Sequence, residues 1–197
     1  VSSAPSRSSG DPLDDALTAA VGAVSSRVRA VAASNPVVLI DGRSGAGKSS
    51  LARRLVNAWR GRSLVQLVAL DDLYPGWGGL AAGAEYARES ILLPHAKGAL
   101  GVWQRWDWEA GERAEAHAVD PSLPLVVEGS GLLTPASASL ADVRVWVDAP
   151  DVSRKNRALR RDGDTYRPHW DRWAAQEDAH LREHEPEALA SLVVLLP

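Results

Sequence analysis

The sequence predicts an α/β fold of three layers, with a five-stranded parallel sheet flanked by helices. Short apolar runs bounded by turn residues alternate with segments of helical spacing, the pattern of parallel strands joined by crossover helices. The first run, "PVVLI" at 36–40, leads straight into the glycine-rich "DGRSGAGKSS" at 41–50 and then into a helix. The next two runs end in carboxylates, "VALDD" and "LVVEG".

The 197 residues suit one domain with a proper core. A net charge of -3 gives no global attraction to nucleic acid or anionic membrane, so any phosphate binding must be local and neither partner is expected. The absence of cysteine excludes disulfides and thiolate metal sites, and fits a reducing cytoplasm. No apolar run reaches the roughly 18–20 residues that span a bilayer. "ALTAAVGAV" has the length of a secretory signal, but Asp14 and Asp15 precede it where positive charge is required. It is expected to be a helix of a soluble, cytoplasmic protein.

Residues 1–12 are rich in Ser and Pro and are expected to be a flexible tail, with a single domain over 13–197. Leu13, Leu17, Val21, Val24, Val28 and Val31 recur at helical spacing over 13–32. "NP" ends that helix, and "VVLI" at 37–40 forms a buried strand. "KSSLARRLVNAWR" continues as a helix, and "SLVQLVAL" at 63–70 is the second strand. The stretch 73–120 is expected to be an irregular substrate-binding insertion, with a helix over 84–93 and the segment "GVWQRWDWEAGERAEAHAV". Strands follow at 123–129 and 143–150, helices over 151–162 and about 170–184, and a fifth strand at 191–196.

"GRSGAGKS" fits G-x-x-x-x-G-K-[ST], the phosphate-binding P-loop, between a strand and a helix as that motif requires. The backbone over Gly42, Ser44, Gly45, Ala46, Gly47, Lys48, Ser49 and Ser50 would cradle the phosphates of ATP, helped by the helix dipole. Lys48 would reach the β- and γ-phosphates, and the Ser49 hydroxyl would coordinate Mg2+. The fold is therefore expected to be that of a P-loop NTPase.

In an open parallel sheet, ligands bind beyond the carboxyl ends of the strands. Asp71 and Asp72 are delivered to that edge, where a carboxylate can take a proton from an attacking hydroxyl or hold a metal-bound water; alternatively they start a loop. Glu128 reaches the same edge and could orient Mg2+, bond to substrate, or simply close its strand. Arg154, Arg157 and Arg161 share one helix face, with Arg160 beside them. They could stabilise a transferring phosphoryl group, or be solvated and paired with Asp162 and Asp164. Trp103, Trp106 and Trp108 alternate with polar residues, so Trp106 and Trp108 would face one way and Asp107 the other. They could wall a flat or apolar substrate or pack a satellite core. The five histidines form no zinc-ligand pattern.

Taken in order, these motifs resemble the uridine kinase and phosphoribulokinase family of P-loop small-molecule kinases, over about residues 36–197. In uridine kinases the second strand ends in Asp-Ser-Phe-Tyr; Asp71 and Tyr74 fall on its first and last positions, and the resemblance implies Asp71 as catalytic base. A Tyr-Asp-Phe segment followed by His and Arg lines the nucleoside pocket of that family, matched by Trp106, Asp107, Trp108, Gly111 and Arg113. An arginine-rich lid matches Arg157, Arg160 and Arg161. The chain departs from the family at Gly111, where the base-reading His would stand, and in "GDTYRPHWDRWAAQEDAH". The resemblance thus implies kinase chemistry more strongly than a particular acceptor, and it admits a homo-oligomer.

The expected function is transfer of the γ-phosphoryl group of ATP, with Mg2+, to a hydroxyl of a small metabolite such as a nucleoside, sugar or vitamin. Lys48, Asp71, Arg157 and Arg161 are the expected catalytic residues, and Ser49 and Glu128 the expected metal contacts. Asp72, Tyr74, Trp106, Trp108, Arg113 and Glu128 are expected around the acceptor, and Arg157 and Arg160 around ATP. The alternatives are a nucleoside monophosphate kinase and an ATPase switch without a small-molecule acceptor.

Overall fold

In the computed structural model, residues 11–59 and 64–197 are described. The parts of the expected tail at 1–10 and of the second strand at 63 lie outside them. Asp11 caps the first helix, α1 (Pro12–Arg29), by accepting from Leu13 N at 3.0 Å, and Pro12 supplies the preset first helical turn. Asp11 and Pro12 therefore belong to the helix.

Five strands, β1 (Val37–Asp41), β2 (Gln66–Ala69), β5 (Leu125–Glu128), β6 (Val143–Asp148) and β7 (Leu192–Leu195), form one parallel sheet in the order β2-β5-β1-β6-β7. β1 and β5 are buried along their whole length, which explains why they read as continuous apolar runs. Strand alternation divides the core. Val38, Ile40 and Val126 pack with Leu17, Val24, Leu51 and Leu55 of α1 and α2 (Lys48–Asn57). Val37, Leu39, Leu125 and Val127 point to the other face, packing with α3 (Leu80–Ala87) and with Ala158 and Trp173 of α6 (Asp151–Tyr166) and α7 (Trp170–His184). The fold is the expected three-layer α/β sandwich. Among the described residues, no helix is long and apolar enough to cross a membrane.

The stretch 73–120 is more regular than its sequence suggests. Its helical part runs from Leu80 to Ala96: α3, a π-helical turn over Arg88–Leu92, and α4 (Leu93–Ala96). Pro94 lacks an N–H and crowds the carbonyl four residues back, so a widened turn just before it lets the helix continue past the expected end at 93. The tryptophan segment forms an antiparallel hairpin of β3 (Gly101–Asp107) and β4 (Glu112–Val119), with the turn closed by Gly111 N donating to Asp107 O at 2.8 Å. Two short helices, α5 (Pro135–Ala138) and α8 (Pro186–Leu189), complete the chain.

Candidate active site

The phosphate loop is built against α6. Gly45 has φ +76°, a left-handed conformation that disfavours side chains, and a Cβ there would collide with the Arg154 carbonyl oxygen. The arginine face expected from the sequence grips this loop. Arg154 is buried and donates from Nη1 to Ser44 O at 3.2 Å, while Arg157 Nε donates to Gly45 O at 2.7 Å. Arg157 and Arg161 line a cavity of about 210 Å³ together with Gly45, Gly47, Lys48, Ser49 and Ser50. Arg157 Nη2 is buried without a protein partner. Arg160 lies off this face, beside Asn156, Leu159 and Arg167.

Lys48 is buried, and its ammonium donates to Arg43 O and to Ser130 Oγ, each at 3.1 Å. The sheet order places β5 between β1 and β2, with Ile40 and Ala69 both in register with Glu128. Glu128 is thus beside the loop, and Asp71 lies just past the end of β2 on a 3-10 turn, Leu70–Asp72. Glu128 is buried, and loss of solvent holds its carboxyl above the ordinary value; nearby Asp71 adds to this, while Lys48, a bond from Ser49 and Arg161 oppose it. Asp71 is exposed to solvent.

A second cavity, of about 560 Å³, contains Asp71, Glu128, Ser44 and Ser49 with Tyr74, Trp77, Trp108, Tyr166 and Trp173. Ser49, Arg53 and Arg161 line both cavities, so the two meet over the phosphate loop. Tyr74 is buried, donates to Ser130 O at 2.7 Å and meets Trp173 edge to face at 4.8 Å. Trp108 Nε1 donates to Asp71 O at 2.9 Å, and its ring lies 4.8 Å from that of Trp77. Trp77 stacks on Tyr166 at 5.2 Å.

The structure therefore gathers Lys48, Ser49, Asp71, Tyr74, Trp108, Glu128, Arg157 and Arg161 around two joined cavities. It does not bring Asp72, Trp106 or Arg113 to their walls. Asp72 is half-buried, and its carboxyl is raised by burial and then by Asp71, while Arg105 and His117 of the hairpin oppose this. Arg113 braces the hairpin, donating from Nη1 to Leu73 O and Gln104 O at 3.1 Å each and lying over the Tyr86 ring. The Trp106 ring lies 5.6 Å from the Arg113 guanidinium. The expected common face of Trp106 and Trp108 fails because the strand ends at Asp107, so Trp108 lies in the turn and not in the strand. Trp103 is buried and stacks on His117 at 4.6 Å, and it joins the main core with Leu92 and Val119 rather than a satellite core.

Other functional positions had no sequence signal of their own. Trp77, Tyr166 and Trp173 wall the larger cavity from the loop before α3, the end of α6 and α7. Ser130 follows the carboxylate-ending third strand, but only the fold shows that it meets Lys48. Asp41, fully buried, accepts from Gly42 N at 2.6 Å, Gly131 N at 3.0 Å and Leu133 N at 2.7 Å, locking β1 to the loop after β5. Among the described residues, no group of three His, Asp or Glu side chains could hold a metal. Ser49 and Glu128, one hydroxyl and one carboxylate lining the same cavity, form the sparse oxygen set that suits Mg2+ shared with phosphates.

No family profile matches the chain, and no curated protein matches it in sequence. Solved structures do. A protein described as a possible uridine kinase from Bacillus stearothermophilus superposes with a TM-score of 0.67 at 20% identity, covering 90% of this chain and 98% of that one. A protein provisionally described as a fructose transport system kinase from Silicibacter sp. TM1040 gives 0.59 at 19% identity, with the same coverage of 90% and 98%. At such identities the likeness is one of architecture: the chain shares the three-layer α/β fold of these structures.

Proposed function

We propose that the protein is an ATP- and Mg2+-dependent phosphotransferase that moves the γ-phosphoryl group to a hydroxyl of a small metabolite. The observation that carries this is the junction of the two cavities at Ser49, Arg53 and Arg161. One cavity has the backbone donors and cations that suit the phosphates of a donor. The other has a solvent-exposed carboxylate, Asp71, among aromatic walls that suit a small acceptor.

In this reading the amides of the loop and the Lys48 ammonium bind the β- and γ-phosphates, and the unpartnered Arg157 Nη2 has a phosphate oxygen to meet. Ser49 and Glu128 would hold Mg2+, which when bound neutralises phosphate charge. Asp71 accepts the proton of the acceptor hydroxyl as its oxygen bonds to the γ-phosphorus and the bond to the β-phosphate oxygen breaks, releasing ADP. Asp71 suits this role better than Glu128, whose burial favours the protonated form. Arg161 lines both cavities while paired with Asp162 at 2.7 Å, and would turn from that pair to the charge that develops on the transferred group. Positioning and electrostatics then suffice without a covalent intermediate.

ATP consumption with and without pooled nucleosides, sugars and vitamins, followed by mass spectrometry of the acceptor, tests this. Acceptor-dependent ADP release with a phosphorylated alcohol is expected. Hydrolysis indifferent to every acceptor would support an ATPase switch, and phosphorylation of nucleoside monophosphates would remove the need for Asp71 as base.

A further inference from the structure

Two side chains on one face of α7 reach into the carboxyl edge of the sheet. His180 Nε2 lies 3.0 Å from Asp41 Oδ2. Glu177 is buried at 3% exposure and gathers four donors. Its Oε1 accepts from Ser44 N at 2.6 Å and Trp173 Nε1 at 3.1 Å, and lies 3.2 Å from Ser130 Oγ; its Oε2 accepts from Arg43 Nε at 3.2 Å.

Both groups that hold the Lys48 ammonium, Arg43 O and Ser130 Oγ, thus belong to residues tied to this one carboxylate. A buried carboxylate beside an anion-binding loop would ordinarily repel phosphate. Here Arg43, which also pairs with Asp178 at 2.7 Å, offsets part of its charge, and neutral donors share its remaining lone pairs. The bond from Trp173 extends the connection to the acceptor cavity, which Trp173 lines. The neighbouring Gln176 accepts from Leu80 N at 3.2 Å and donates to Trp77 O at 2.9 Å, fixing another wall of that cavity.

We propose that Glu177 is a positioning residue that sets the phosphate loop and the Lys48 ammonium for nucleotide and links them to the wall of the acceptor cavity. Glu177 itself touches no substrate in this proposal, which rests on the nucleotide-binding part of the function proposed above. Glutamine at 177 keeps the size, but its amide nitrogen would face donors wherever it points. Either Arg43 or the pair Ser44 N and Trp173 Nε1 then loses its acceptor.

The test is titration of the full chain with ATP and Mg2+, followed by tryptophan fluorescence, alongside thermal melts. Glu177→Gln is expected to bind ATP about tenfold more weakly, the loss of one charge-assisted contact. A purely structural role would lower the melting temperature and leave the Kd of the folded protein unchanged. An unchanged or tighter Kd in folded Glu177→Gln therefore overturns the proposal. Should that variant not fold, Ser130→Ala decides, because it cuts the bridge between Glu177 and Lys48 while leaving the Ser44 and Arg43 contacts in place. Weaker ATP binding is again expected, and wild-type binding overturns the proposal. Failure of the wild-type chain to bind ATP at all would instead remove the underlying nucleotide-binding function, and this inference with it.

Discussion

The Lys48 ammonium is held 3.1 Å from Ser130 Oγ, a hydroxyl supplied by the loop after β5 from 82 residues further along the chain. The cation proposed to meet the phosphates is thus fixed by two sheet-edge loops together, and in that reading little reorganisation remains when nucleotide arrives. A guanidinium is planar and branched, and cannot occupy a buried place shaped for a compact ammonium between Arg43 O and Ser130 Oγ. Lys48→Arg is therefore expected to behave nearly as badly as Lys48→Ala, each lowering kcat about 10²–10³-fold. Turnover and calorimetric ATP binding check this; near-normal turnover by Lys48→Arg would mean that charge alone matters at this position.

Asp71 lines the larger cavity but not the smaller one. Asp71→Asn should therefore leave ATP affinity near that of the wild type while reducing kcat by about 10²–10⁴-fold, the range of a lost general base. Once an acceptor is identified, single-turnover kinetics measure the chemical step directly. Intact chemistry in Asp71→Asn would move the base role elsewhere.

What was legible beforehand follows the range of each interaction. The phosphate loop is local, so ten consecutive residues and their flanking strand and helix specify it. Asp71 and Glu128 could be placed because topology alone carries the ends of parallel strands to one edge. Glu177 could not, since its bond to Ser44 N spans 133 residues and nothing in "AAQEDAH" distinguishes it from a solvated helix acid. The hairpin was partly legible. Its alternation is present, but a turn at Asp107, whose Oδ1 accepts from Glu109 N and Ala110 N, reorients the side chains that alternation would have paired.

That reorientation separates Trp108 from Trp106. Trp108 borders the larger cavity and donates to Asp71 O, whereas Trp106 packs by Arg113. Trp108→Leu removes both a wall and a restraint on the Asp71 backbone, and should raise the acceptor KM and lower kcat together. Trp106→Leu should mainly lower thermal stability. Steady-state kinetics and melting curves of the two variants distinguish these outcomes, and a larger KM effect from Trp106→Leu would place the acceptor on the hairpin instead.

Glu128 combines burial with a place at the carboxyl edge of the sheet, in the proposed site, and the two have opposite consequences. Burial, reinforced by Asp71, holds its carboxyl above the model-compound value of 4.5 despite Lys48. Between that value and the higher one in the folded protein, the native state binds more protons than the unfolded chain. Stability contributed by this site therefore falls as pH rises through the window, and remains lower above it. Glu128→Gln removes that cost because it carries no charge to bury. The nucleotide-free variant should melt at a higher temperature than the wild type at pH 7, with the difference shrinking as pH falls through that window and vanishing below about 4.5. The same variant should lose phosphotransfer activity, because the amide is a poor partner for Mg2+ beside Ser49. Stability gained and activity lost at one residue would mark Glu128 as retained for function, as is common where a charge is buried at an active site. Circular dichroism melts from pH 4 to 8 settle the sign: a variant less stable than the wild type at pH 7 would show that pairing with Lys48 outweighs burial.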